Sequence, residues 1–442
     1  MKAIIVPGIT DLNKGDQALI WESYRLIKDT KIFDTINLLS SGDTKEERKL
    51  LCGQSLDAGF EMIENILPHP RRGKHINKEY VKDSKLELVR QIQNACLDFL
   101  KTKFLLSVCD KIVLVKMLFS DKTYQTIKRF QEVDTIFVKG GGFIHAYGEK
   151  TAPYFMWYFL FYVRLAQRLH KKVIFLPNSY GPFEGLTVKK QICSVFNKID
   201  LIYAREQVSA DSLGKLLNKK IPVEMDLGFF LQKGSQEEAL KILNKYNLST
   251  SDKIVGITIR PYRFPGKHNP EIFYVNYIES VVALAHHIVN KGYKVILCNQ
   301  SLGPNSHEDD RNSIQDFFKN VNHPDIVWIN ENLTCEVLKT VYSNFHFFVG
   351  TRFHSVVFSL TSIIPSIAIG YGGNKARGIM RDLDLNDFVI QIDEVSPKTL
   401  LNMFDKAIEQ YDGIKIKLSK AMPLVDESRS RLIADIKRLH KQ

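Results

Sequence analysis

The chain has 442 residues, 44% of them hydrophobic and 25% charged, with a formal net charge of +12. That length exceeds one ordinary core and favours two domains, and a composition without charge blocks or low-complexity tracts excludes a disordered or fibrous protein. The positive balance suits anionic partners such as nucleic acid, phosphorylated small molecules or an acidic membrane surface, and by itself does not choose among them.

The amino terminus, MKAIIVPGITDLNKGD, passes from one lysine into a short apolar strand and a polar glycine loop. It lacks the apolar core and small-residue cleavage site of a signal peptide, which predicts a cytoplasmic protein. Apolar strand-like runs recur at residues 3–7, 135–138, 172–176, 201–204, 254–259, 294–298, 325–329, 345–349 and 366–369. Helix-length intervals separate them, and this alternation predicts parallel sheets with crossover helices. The runs form two sets, divided by the polar helix and Ser/Thr-rich turn of residues 231–252. The expected fold is therefore α/β, with two Rossmann-like domains facing a cleft, residues 1–235 and 236–442.

Residues 68–130 interrupt the first set with the basic segment PHPRRGKHINKEYVKDSK and mostly helical text, predicting an inserted helical subdomain. Within it, residues 99–119 place Lys101, Lys103, Lys111 and Lys116 among apolar residues, too much charge for a spanning helix. A helix pair packed on the sheet is the expectation, and peripheral contact with a membrane, at its inner face, is the alternative. The aromatic run YFMWYFLFY, residues 154–162, reads as a buried helix. The six cysteines show neither a CxxC pair nor short Cys/His spacing, so neither a zinc site nor a disulfide framework is predicted.

Ligands of open α/β sheets lie beyond the carboxyl ends of the strands, so those ends carry the candidate site residues. After the first strand, Asp16 in NKGDQA is either the N-cap of the next helix or a carboxylate directed into the cleft. Gly140, Gly141 and Gly142 follow the strand IFVKG and would bring backbone N–H groups close to a ligand. Asn178 and Ser179 in PNSYGPFEG form another polar strand-end loop. Arg205 and Arg260 each end a strand, where a buried arginine calls for a partner or an anionic ligand. Asp226 in MDLGFF is a cap or the residue that holds Arg205. The segment FFVGTRFHSVVFSLTSIIPSIAIGY, residues 347–371, delivers Arg352 and His354 together to a strand end. A guanidinium able to fork onto phosphate or carboxylate thus lies two residues from a group that titrates near neutral pH. Lys375 stands behind the next strand end.

Taken in order, GDQA, KGGGF, PNSYGP, YARE, MDLGFF, ITIRPY, GTRFHS and GYGGNK resemble the polysaccharide pyruvyl transferase family, from residue 8 to about 383 and outside the insertion. The resemblance implies a two-domain fold like that of the GT-B glycosyltransferases. It implies transfer of a pyruvyl group from phosphoenolpyruvate to two hydroxyls of a sugar, as a ketal, in a polysaccharide or its lipid-linked precursor. It maps the family's RxH element to Arg352 and His354, its strand-end arginines to Arg205 and Arg260, its early aspartate to Asp16 and its late lysine to Lys375. Gln17 departs from the acidic residue commoner at that place. Phosphoenolpyruvate carries a carboxylate and a phosphate and so needs several fixed cations; His354 is the expected acid–base group, with Asp16 next. No cofactor or metal is expected. A GT-B glycosyltransferase using a nucleotide sugar is the alternative, and a basic nucleic-acid-binding protein the second. The first would want a glutamate for the donor ribose, and none is evident after GTRFHS; the second would want basic residues interleaved with aromatics on one surface, whereas the lysines are spread throughout.

Overall fold

The computed structural model describes residues 1–8, 10–72, 85–372 and 375–441, with the side chain of Lys375 outside the described residues. Its first half is built on a seven-stranded parallel sheet: β1 (Lys2–Val6), β2 (Thr35–Leu39), β3 (Met62–Ile63), β4 (Thr135–Val138), β5 (Gly141–Tyr147), β6 (Lys172–Glu184) and β7 (Leu201–Ala204). The second half carries a six-stranded parallel sheet: β8 (Ile254–Thr258), β9 (Lys294–Cys298), β10 (Ile326–Ile329), β11 (Phe347–Gly350), β12 (Ser366–Gly370) and β13 (Val389–Gln391). Central strands such as β4 and β8 are buried along their whole length because helices cover both faces, which is why they read as continuous apolar runs. The fold is the expected α/β arrangement of two Rossmann-like sheets.

Strand order decides where a ligand can sit. The second sheet runs β10-β9-β8-β11-β12-β13, so the direction of winding reverses between β8 and β11. The first sheet reverses in the same way between β1 and β4. A crevice opens beyond the carboxyl ends at each such switch point. The two switch points are joined across the halves: Leu302 N donates to Leu12 O at 2.8 Å and Lys14 N to Gln300 O at 3.0 Å. Side chains add to this seam, with Lys14 Nζ donating to Asn332 Oδ1 at 2.7 Å and Gln17 Oε1 accepting from Cys335 N at 2.7 Å. Gln17, the residue that departs from the family pattern, is therefore a buried link between the halves.

Three features differ from the sequence-based expectation. The GGG segment and PNSYGPFE, expected as loops, are strands: β5 pairs with the far part of β6, in the register Gly141↔Asn178 and Ala146↔Phe183. The terminal helix Tyr411–Lys441, expected to belong wholly to the second half, returns to the first sheet, where Lys172 Nζ donates to Leu439 O at 2.7 Å and Tyr203 Oη to Asp435 Oδ2 at 2.9 Å. The helix Ala152–Arg168 is buried along Leu160–Ala166 but only partly covered at Tyr154, Phe155 and Trp157, which face the inserted helices. Among the described residues one helix, Pro270–Asn290, is long and apolar enough to cross a membrane by length and composition; its Tyr277, Val281, Leu284 and Ile288 lie in the core.

Candidate active site

His354 sits in the first turn of the helix Phe353–Leu360, which is separated from the end of β11 by Thr351 and Arg352. Its ring crosses to the first half and lies between two glycines. A Cβ on Gly15 would fall 2.2 Å from His354 Nδ1, and one on Gly228 would fall 2.9 Å from its Cδ2. Larger residues at either place would expel the imidazole, so both positions need glycine for close approach. His354 Nε2 is buried without a hydrogen-bond partner among the described residues and stands 3.5 Å from Asp226 Oδ1. That separation suits an ion pair and is long for a hydrogen bond; such contacts commonly tighten when substrate binds.

Asp226 faces two further groups. Its Oδ2 accepts from Arg205 Nη1 at 2.5 Å, and its Oδ1 accepts from Gly228 N at 2.7 Å. Burial alone would raise this carboxyl, but the Arg205 guanidinium, helped by His354 and the Gly228 N–H, holds it well below the usual carboxylate range. Arg205 Nε donates to Ser179 Oγ at 2.7 Å, and the guanidinium lies 5.3 Å from the centre of the Phe353 ring. Arg205, Asp226 and His354 thus form a chain from the first sheet to the second.

Asp16 and Lys139 make a second pair beside this chain. Asn13, not Asp16, caps the first helix: its side chain accepts from Gly15 N at 3.0 Å and Asp16 N at 3.3 Å. The Asp16 carboxylate is thereby free of capping and instead accepts from Lys139 Nζ at 3.1 Å. Burial would raise Asp16, yet Lys139, with His354 and Arg205 nearby, outweighs it and keeps the group below its ordinary value. Lys139 ends β4 at the first switch point. The sequence reading missed it, although a lysine closing a buried strand just before three glycines was a usable signal.

Arg352 and Arg260 are occupied. Arg352, expected as a two-point clamp for a donor, donates from Nε to Asp310 Oδ1 at 2.8 Å, from Nη1 to Glu308 Oε2 at 2.6 Å and from Nη2 to Glu308 O at 2.9 Å. Two carboxylates, Glu308 on a loop and Asp310 at the start of the helix Asp310–Phe318, therefore take the fork that a ligand would use. Burial pushes the Asp310 carboxyl up to about 6 against the pull of Arg352, and Asp310 Oδ2 also accepts from Gln300 N and Ser301 N. Arg260 Nη2 donates to Glu308 Oε1 at 3.2 Å, and its guanidinium lies 4.1 Å from the centre of the Tyr371 ring. Glu308 and Asp310 went unnoticed in the sequence, where they sit in an ordinary acidic stretch, HEDD.

The other expected residues divide. Ser179 joins the site through Arg205. Asn178 is buried below it, its Nδ2 donating to Lys139 O and Leu176 O, both at 2.8 Å, and its Oδ1 has no partner. Gly140 allows close passage of two chains, since a Cβ there would stand 3.0 Å from Pro177 O. Gly141 and Gly142 open β5 instead of forming a free loop. Lys375 begins the helix Lys375–Asp382, and its side chain lies outside the described residues.

Two cavities flank these groups. One of about 200 Å³ is lined by Asn13, Arg205, Thr351, Phe353, His354 and Tyr371. The other, also about 200 Å³, lies over Asp16 and Lys139 and is walled by Thr10, Asp43, Asn65 and His69. Roomier hollows, of about 640 Å³ beside Leu12 and Asn332 and about 840 Å³ against the insertion, contain none of the strand-end groups. The small pair is the candidate site because titratable groups from both switch points converge there.

A solved S. aureus MnaA bound to UDP superposes with a TM-score of 0.58 at 10% identity, covering 99% of this chain and 96% of that one. A trehalose-6-phosphate protein of E. coli bound with UDP-2-fluoro glucose gives 0.56 at 10% identity and 99% of both chains. At such identities the likeness shows the fold alone, which is GT-B-like. The amylovoran biosynthesis protein AmsJ of Erwinia amylovora is 21% identical over 321 residues, covering 71% of this chain and 74% of its own. Residues 13–373, a span that contains Asp16, Lys139, Arg205, Asp226 and His354, match the family described as polysaccharide pyruvyl transferase, and the chain belongs to that family of enzymes.

Proposed function

We propose that this enzyme transfers a pyruvyl group from phosphoenolpyruvate to two hydroxyls of one sugar, within a polysaccharide or its lipid-linked precursor, forming a ketal and releasing phosphate. The observation that carries the reading is the chain Arg205–Asp226–His354 closing over Asp16–Lys139 where the two switch points meet. Arg205 lines one cavity and Lys139 the other, and they are the groups for the donor's phosphate and carboxylate. Arg260 belongs to the same set once Glu308 yields to a ligand, and Arg352 positions Glu308 and Asp310.

The chemistry has two proton acceptors to supply and two proton destinations. One sugar hydroxyl bonds to the central carbon of the donor, the one that bears the phosphate ester oxygen, while the donor's methylene carbon gains a proton to become the methyl. The bond from that central carbon to the phosphate oxygen then breaks, and the second hydroxyl closes the ketal. Of the two hydroxyl protons, one replaces the proton given to the methylene carbon and the other leaves with phosphate. His354, its Nε2 side steadied by Asp226 and its Nδ1 lying over Gly15, is the group that moves them. Asp16 is placed to assist at the second hydroxyl.

A ligand that binds only the native state raises its melting temperature. Phosphoenolpyruvate should therefore stabilise the protein in a thermal melt more than a panel of nucleotide sugars at equal concentration. Stabilisation by a nucleotide sugar alone would point to glycosyl transfer instead.

A further inference from the structure

The inserted helices were expected to pack on the sheet; instead Lys85–Val108 lies against the helix Ala152–Arg168, where Trp157 Nε1 donates to Thr102 Oγ1 at 3.0 Å, and the inserted helices bury Asp98, Thr102, Leu105 and Val115. Among the described residues nothing covers the opposite face. On the helix Lys85–Val108, the residues Leu86, Val89, Leu97, Leu100 and Phe104 recur at helical spacing and all are exposed. At roughly 100° per residue they fall within one stripe about 80° wide. The next helix, Ile112–Leu118, adds Val113 and Met117, and a stacked pair, Phe104 and Phe119 with ring centres 5.9 Å apart, joins the two helices. Leu97 is 64% exposed, Leu100 62%, Val113 68% and Met117 74%. Gln93 and Ser107 are the two polar residues that fall within the stripe; scattered apolar side chains on a surface are ordinary, but apolar side chains gathered on one face mark a contact.

Charge says with what. By the same helical angles Arg90 and Lys101 flank one side of the stripe and Lys85 and Lys103 the other, all of them exposed. Lys111 and Lys116 continue this pattern on the second helix. The acidic residues of the two helices and the turn between them are Glu87, Asp98 and Asp110, and Asp98 is taken by Arg72 through bonds of 2.8 and 2.9 Å. An apolar stripe edged by lysines whose stems can lie flat and whose ammonium groups reach outward fits a helix lying in a lipid interface. A second copy of this chain would set the same lysine rows against each other, whereas an anionic bilayer complements them.

We infer that the helices of residues 85–118 form a peripheral docking surface for an anionic membrane. This inference is independent of the donor and of the site groups. The test is sedimentation of the full-length protein with vesicles of phosphatidylcholine, with and without phosphatidylglycerol. The wild type should sediment with the anionic vesicles and stay in solution with the neutral ones. Leu97→Asp/Leu100→Asp/Met117→Asp should abolish sedimentation with an unchanged melting temperature, since all three side chains are exposed. Lys101→Glu/Lys111→Glu, which spares the apolar stripe, should weaken partitioning by at least about tenfold, each lost charge being worth roughly fivefold. Wild-type protein left in the supernatant with both vesicle types would overturn the inference. So would a dimer, seen by light scattering in the absence of vesicle binding, that the three aspartates convert to monomer.

Discussion

Gly15 and Gly228 leave room for His354 by having no Cβ to occupy it. Gly15→Ala tests this because alanine is the better helix former by about 1 kcal/mol and should not harm the helix that Gly15 opens. Its methyl group would displace the imidazole from Asp226, and turnover should fall at least about tenfold, since a misplacement near 1 Å can cost about 10²-fold; a melting curve run alongside should show the fold intact. Asp226→Asn acts on the other side of the ring. The folded state holds Asp226 below the ordinary carboxylate value, so its charge stabilises the protein above a pH of about 4 and this contribution is lost as pH falls through the lower folded value. Unfolding midpoints measured between about pH 4 and 2 should therefore depend less steeply on pH in the asparagine variant. The sequence displayed His354 and Arg205 openly, as polar residues closing apolar strands. It offered Asp226 only as one of two roles, and Lys139 not at all, because the pairing partners lie far apart along the chain and meet only through the sheet topology.

At the scale of elements, the loop carrying Glu308 and the helix start at Asp310 are fixed by Arg352 at the exit of β11. Arg352→Lys keeps the charge but cannot reproduce the fork, and it leaves a buried carboxylate short of donors. Chemical denaturation should show a loss of about 3 kcal/mol, the scale for breaking a buried pair; a loss confined to donor affinity, with stability intact, would return Arg352 to direct ligand contact. The strands on the switch points were legible because both faces are covered and their residues are uniformly apolar. β5 and the far part of β6 were not. Gly140 to Gly142, Pro177 and Pro182 are strand breakers by local preference, and here each strand persists because the other supplies its ladder. β2, β3 and β13 also escaped notice: β3 and β13 are only two and three residues long, too short for a periodicity to show.

The whole molecule places His354, the proposed acid–base group, on one half and Asp226 on the other, so the candidate site exists only with the halves joined. The seam from Leu12 to Leu302 and the terminal helix that returns to β6 and β7 hold them together. Two parallel sheets with crossover helices could be read from alternating strands and helices, while the return of the terminal helix could not, since an amphipathic helix carries no address for the surface it covers. Architecture of this kind serves many chemistries, so the donor must be decided at the site. The direct measurement is release of inorganic phosphate from phosphoenolpyruvate in the presence and absence of an acceptor polysaccharide, with wild type and His354→Asn compared. Acceptor-dependent release by the wild type, lowered about 10²-fold or more in a variant with an unchanged melting temperature, is the predicted result. Phosphate release at near wild-type rate by a folded His354→Asn variant, or transfer from a nucleotide sugar with none from phosphoenolpyruvate, would contradict it.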